Sequence, residues 1–176
     1  MNPLLSEIYS IINGYSNAKD TERVFTFIEF VKQFGYDNIL TFQAEDERVK
    51  QIDKLVDDKI YEMGKTQSNE NIVIDSRLAW NFIPNSFKVF IDVDSDVAGK
   101  RLVEANRDSE KVSSLQDAIK SLEKRWQIEN DRYLELYGVN NLNLNNYDLV
   151  INSSNLTPKQ IVKKIYDSFK KFQKNK

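Results

Sequence analysis

Three short runs restrict the fold more than anything else in this chain: NIVID at 71–75, FKVFIDV at 87–93 and YDLVI at 147–151. Each is rich in β-branched or aromatic residues, and helical patterns separate them. A strand with one face in water alternates apolar and polar residues, whereas a strand covered on both faces stays apolar. These runs, apolar through most of their length, therefore predict strands of a parallel sheet joined by helical crossovers. The expected class is α/β, a reduced parallel sheet with helices on both faces and helices dominating the residue count.

The helical segments follow from spacing and caps. Leu4, Leu5, Ile8, Ile11 and Ile12 recur at helical spacing, with Gly14 as a stop, and predict an amphipathic helix over 1–16. Asp20 and Thr21 can cap a second helix with Val24, Phe27, Ile28 and Val31 on its face, ending at Gly35, and a third runs from about Glu45 to Gly64. Between the second and third apolar runs lie a helix from about Val97 to Asn106 and a long one from about Leu115 to Tyr137, closed by Gly138. The segment from Arg107 to Ser114 is the polar hinge between them. Thr157 caps a last helix with Pro158 at its first position, and lysines crowd its end, where the helix dipole favours cations.

Composition narrows the chemistry. The 176 residues suit one domain, 1–176, and contain no Cys and no His, which excludes disulfides, thiolate nucleophiles, Cys/His zinc sites and the commonest general base. Any reaction must use Asp, Glu, Arg, Lys or hydroxyls. The net charge of −2, with both signs interleaved, gives no global positive field for nonspecific nucleic-acid binding, so a phosphate must be held locally. No apolar run approaches the roughly 20 residues of a membrane span, and MNPLLSEIYSII lacks the basic start of a secretory signal. A cytoplasmic protein without a membrane partner is expected.

From about Phe27 to the C-terminus the order of motifs resembles the cytidylate (CMP/dCMP) kinase family, within the P-loop nucleoside monophosphate kinase superfamily. The segment FIEFVKQFGYDNILTFQAEDERVKQIDKLVDDKI is similar to the family's monophosphate-binding helices, and its "IDxxxD" pattern falls on Asp53 and Asp57. IVIDSRLAWNFIP resembles the family strand that ends in "GRLxxW", whose Arg holds the acceptor phosphate; Arg77 matches it, with Asp75 beside it, and Ser76 stands where the family has Gly. A backbone needing positive φ there would be altered by the serine. KVFIDVDSDVAGKRLVEANRDSE resembles the strand, helix and first lid arginine, with Arg101 and Arg107 at matching positions. KSLEKRWQIENDRYLELYGV resembles the "RxxxxRxRY" helix, matching Arg125, Arg132 and Tyr133, with Asn130 in place of the second Arg. YDLVINSSNLTPKQIV follows the family's last strand and helix almost letter for letter.

The resemblance implies a division into a divergent N-terminal helix over 1–20, monophosphate-binding helices over 21–70 and a lid over 100–138. It also implies an activity: ATP- and Mg²⁺-dependent phosphoryl transfer to CMP or dCMP. Arg77, Asp53, Asp57 and Asp75 would bind the acceptor, and Arg107, Arg125 and Arg132 would close as catalytic cations on the transferring group. Each has a plainer reading. The lid arginines stand among Asp108, Glu110, Glu123, Glu129 and Asp131, so solvated helix pairs account for them, and Trp80, Phe82 and Trp126 read as core before they read as a base pocket.

One element of such a kinase is missing from the sequence. The donor phosphates need GxxxxGKS/T, whose backbone N–H groups, Lys and hydroxyl cradle them and the metal. The five glycines, at 14, 35, 64, 99 and 138, never approach that spacing. Three explanations stand side by side: a shortened chain, a degenerate kinase with another task, or a phosphate cradle of unfamiliar form. The chain alone is expected to be inactive or incomplete, with no cofactor if degenerate. The rival expectation is a noncatalytic protein that docks on a macromolecular partner through its N-terminal helix.

Overall fold

The structure, a computed structural model, describes residues 24–26, 47–65, 73–104 and 114–175. The expected helix over 1–16, the stretch from Phe27 to Gly35 and Arg107 lie outside them. The chain divides into two compact units, Met1–Ser86 and Phe87–Lys176.

In the first unit, strand β1 (Val24–Thr26) is followed by helix α1 (Glu47–Lys65), strand β2 (Val73–Asp75) and the one-turn helix α2 (Ala79–Phe82). β1 and β2 pair in parallel, Val24 with Val73, Phe25 with Ile74 and Thr26 with Asp75. Val24 was expected on a helix face; it is in a strand because Val-Phe-Thr is β-branched and aromatic and finds its ladder partner far along the sequence. α1 turns Val56 and Ile60 inward, 2% and 0% exposed, and Leu78 beside α2 is 3% exposed. Full burial of a side chain such as Ile60 contributes about 1.5–3 kcal/mol.

The second unit runs strand β3 (Val89–Asp92), helix α3 (Ser95–Glu104), helix α4 (Leu115–Tyr137), a 3₁₀ turn at Leu144–Asn146, strand β4 (Leu149–Asn152) and helix α5 (Pro158–Lys174). β3 and β4 are again parallel, from Val89 with Leu149 to Asp92 with Asn152. α4 begins where expected, Ser114 accepting the Asp117 N–H at 3.1 Å, and ends at Gly138, whose φ of 66° suits a residue without Cβ. A Cβ on Gly99 of α3 would lie 2.8 Å from Ile119 Cγ1, so glycine sets the close approach of α3 to α4. Thr157 and Gln160 form a reciprocal capping box at the start of α5, with Pro158 as its first residue. Ile161 and Val162 of α5 and Ile151 of β4 are buried, and Phe87 stacks at a tilt on Phe169 and Phe172.

The α/β class and the parallel pairing agree with the sequence reading. The cover is thin at two strand positions, Ile91 at 36% and Val150 at 40% exposed, while Ile151 is 4% exposed.

Candidate functional site

β2 delivers two opposite charges to its carboxyl end, where parallel α/β proteins bind ligands. Asp75 is its last residue and Arg77 follows in the turn into α2. Ser76 closes that turn: its Oγ accepts the Leu78 N–H at 3.3 Å, and buried Leu78 anchors the far side. The serine in place of glycine thus has a local job, holding half-buried Arg77 between a hydroxyl turn and an apolar anchor. Asp75 as a whole keeps solvent contact, yet desolvation around its carboxyl raises its pKa above the ordinary aspartate value, and the Arg77 guanidinium offsets part of that rise. A carboxyl with raised proton affinity beside a planar guanidinium suits a hydroxyl-bearing, phosphate-bearing ligand.

α4 carries Arg125 and Arg132 seven residues apart and so on one face, with Glu129 between them at i+4 from one and i−3 from the other. Both arginines are half-buried and Glu129 is 8% exposed, which departs from the solvated pairs that the sequence suggests. The Arg132 guanidinium stands 5.7 Å from the centre of the Tyr133 ring. Asn130, where the family motif has arginine, is 7% exposed, and its Oδ1 accepts the Asn141 N–H at 2.9 Å. Tyr147 continues this latch: its hydroxyl lies 2.9 Å from both the carbonyl and Oδ1 of Asn141, and its ring lies 4.9 Å from Phe90 of β3. Burial, with Tyr133 adding to it, pushes the Tyr147 hydroxyl up to about 12, so it stays a neutral donor. Sequence reasoning missed this latch, because the burial of Asn130 and its bond to Asn141 leave no local signal.

The remaining expected residues divide. Asp57 is half-buried on α1; Asp53 lies on the same helix, one turn earlier. Arg101 is exposed and its Nη2 donates to the Ser153 carbonyl at 3.1 Å, tying α3 to the loop after β4. Trp80, Phe82 and Trp126 are half-buried and belong to neither fully buried core. Among the described residues no group of three or more acidic, His or Cys side chains is placed to hold a metal, and no helix is long and apolar enough to cross a membrane.

Residues 15–155 match the cytidylate kinase-like family. The chain belongs to that family. It is 29% identical over 159 residues to the cytidylate kinase of Sulfolobus acidocaldarius, covering 89% of this chain and 82% of that protein. It is 31% identical over 133 residues to the cytidylate kinase of Methanobrevibacter smithii, covering 76% of this chain and 73% of that one. A third relative is the S-adenosylmethionine-dependent nucleotide dehydratase of Lacinutrix mariniflava, 35% identical over 130 residues. That match takes in 74% of this chain but spans only 26% of the dehydratase.

Proposed function

We propose that this chain is the acceptor-binding and lid part of a cytidylate kinase-like activity and that it binds CMP or dCMP. The observation that carries the reading is the Asp75–Ser76–Arg77 turn at the carboxyl end of β2, built on a parallel ladder in a member of this family. Arg77 grips the acceptor phosphate; Asp75, Asp53 and Asp57 supply polar contacts to the nucleoside. Arg107, Arg125 and Arg132 neutralise charge on the transferring group, the role that positioned cations fill in phosphoryl transfer. The kinase names of two relatives and the nucleotide-processing name of the third support nucleotide recognition as the shared property.

ATP and Mg²⁺ serve as donor and metal in a P-loop kinase, but the residues here do not fit them. The sequence holds no GxxxxGKS/T, the loop whose backbone N–H groups, Lys and hydroxyl would cradle the donor phosphates and the metal. The chemistry assigned to these 176 residues therefore stops at acceptor binding and charge neutralisation, in the cytoplasm. The missing motif also favours a second reading, a noncatalytic protein that uses the kinase scaffold to bind a partner.

Calorimetry with CMP, dCMP and UMP, paired with an assay of CDP formation from ATP, separates the two. CMP or dCMP is expected to bind, Arg77→Ala to remove that binding, and no CDP to form. Absence of nucleotide binding overturns the acceptor reading in favour of the scaffold. CDP formation that Arg77→Ala abolishes contradicts the lack of a donor cradle.

A further inference from the structure

β4 has a ladder partner on one side only among the described residues. In a ladder, alternate residues turn their backbone groups toward the neighbour. The Leu149 N–H donates to the Lys88 carbonyl at 3.1 Å and the Ser153 N–H to the Asp92 carbonyl at 2.8 Å, so Leu149, Ile151 and Ser153 face β3. Val150 and Asn152 face away, and none of the described residues hydrogen-bonds to their backbone groups on that side. Sheet edges are ordinarily blunted by Lys, Pro, a bulge or a covering element. Leu-Val-Ile-Asn carries neither Lys nor Pro, pairs in unbroken register, and leaves Val150 40% exposed.

Beside this edge lies a groove of about 300 Å³ between β4 and α5, its other lining residues being Leu156, Lys164, Asp167 and Ser168. Lys164 and Asp167 put one cation and one anion on its rim, one helical turn apart. Asp167 also pairs with Lys163 at 2.7 Å, but both side chains are mostly in solvent, and such a screened pair is too weak to hold Asp167 from another partner.

A surface whose free strand can pair antiparallel with itself, and whose rim carries one charge of each sign, is complementary to its own copy under a two-fold axis. We propose that β4 is a dimerisation edge, to which a second copy of this chain adds its own β4 antiparallel. Val150 then stands opposite Asn152 of the second copy, with Ile151 near the axis. The two symmetric pairs make four backbone hydrogen bonds from the groups that face outward here. Lys164 of each copy meets Asp167 of the other. The junction turns two-stranded ladders, which are marginal alone, into a continuous four-stranded sheet.

Sedimentation analysis of the whole chain across a concentration series tests this. The expected result is a monomer of 20.6 kDa giving way to a species of twice that mass as concentration rises. Val150→Pro removes an outward N–H that the fold does not use, so it should abolish the dimer and leave the circular dichroism unchanged. Lys164→Glu, which sets like charges against each other, should weaken association about tenfold or more, and adding Asp167→Lys should restore it. The charge swap keeps the test decisive if the proline variant fails to fold. A chain that stays monomeric at every concentration overturns the proposal, including one whose β4 amides instead respond to an unrelated extended peptide. A dimer that both single variants leave intact overturns it as well.

Discussion

At the carboxyl end of β3 and β4, polar side chains are consumed by one another. Asn152 Nδ2 donates to Asp94 Oδ1 at 2.7 Å, the Asp94 N–H donates to Ser154 Oγ at 2.8 Å, and the Ser154 N–H donates to Asn152 Oδ1 at 2.9 Å. At the carboxyl end of β2 the same kinds of residue are used differently: Ser76 is spent on the turn, while Asp75 is left with a raised proton affinity beside the Arg77 guanidinium. The contrast teaches that acids and hydroxyls beyond a strand do not by themselves make a site. A closed ring of hydrogen bonds stabilises the fold; a carboxyl whose proton affinity desolvation raises beside a guanidinium marks a candidate for function.

The largest effect should separate the two ends outright. Arg77→Ala is expected to weaken CMP binding by about 2–5 kcal/mol, the range for truncating one partner of a hydrogen-bonded charge pair, while Asn152→Ala leaves it unchanged. Calorimetry reads both, and equal losses would break the comparison. Next, Asn130→Ala strands the Asn141 N–H and should lower unfolding stability by about 1–3 kcal/mol in a urea titration. Asp94→Ala opens the ring at β3–β4 and should lower stability by about 1 kcal/mol without altering CMP affinity.

The smallest effect is pH-dependent. Because the folded pKa of Asp75 lies above its ordinary value of 3.8, the unfolded chain releases that proton first and the charged carboxyl opposes folding. The penalty is absent below about 3.8, grows as pH rises toward the folded pKa, and is constant beyond it. Asp75→Asn should therefore be the more stable protein at neutral pH, and the difference should vanish in urea titrations below that lower limit.

Local signals were legible and long-range ones were not. The span of α4 with its Gly138 stop, and the Thr157–Pro158 start of α5, were readable because a cap is written within a few residues of the helix it ends. β1 escaped because three residues carry little periodicity and the partner, β2, is distant in sequence. α2 has no side-chain cap to announce it. At the candidate site, Arg77 was named through the family motif and Asp75 as the end of its strand, but Ser76 read as a disturbance, because the turn its hydroxyl closes is not written in the sequence. Asn130 likewise read as a lost guanidinium; its burial and its bond to Asn141 are tertiary facts with no local signature.

The central claim is that the carboxyl end of β2 is the ligand end, and an amide NMR titration of the whole chain with CMP tests it most directly. The account predicts saturable shifts at Ser76, Arg77 and Leu78, absent in Arg77→Ala, with Asp94 and Ser154 unmoved. Shifts centred on Asp94 and Ser154, or none at β2, would contradict it.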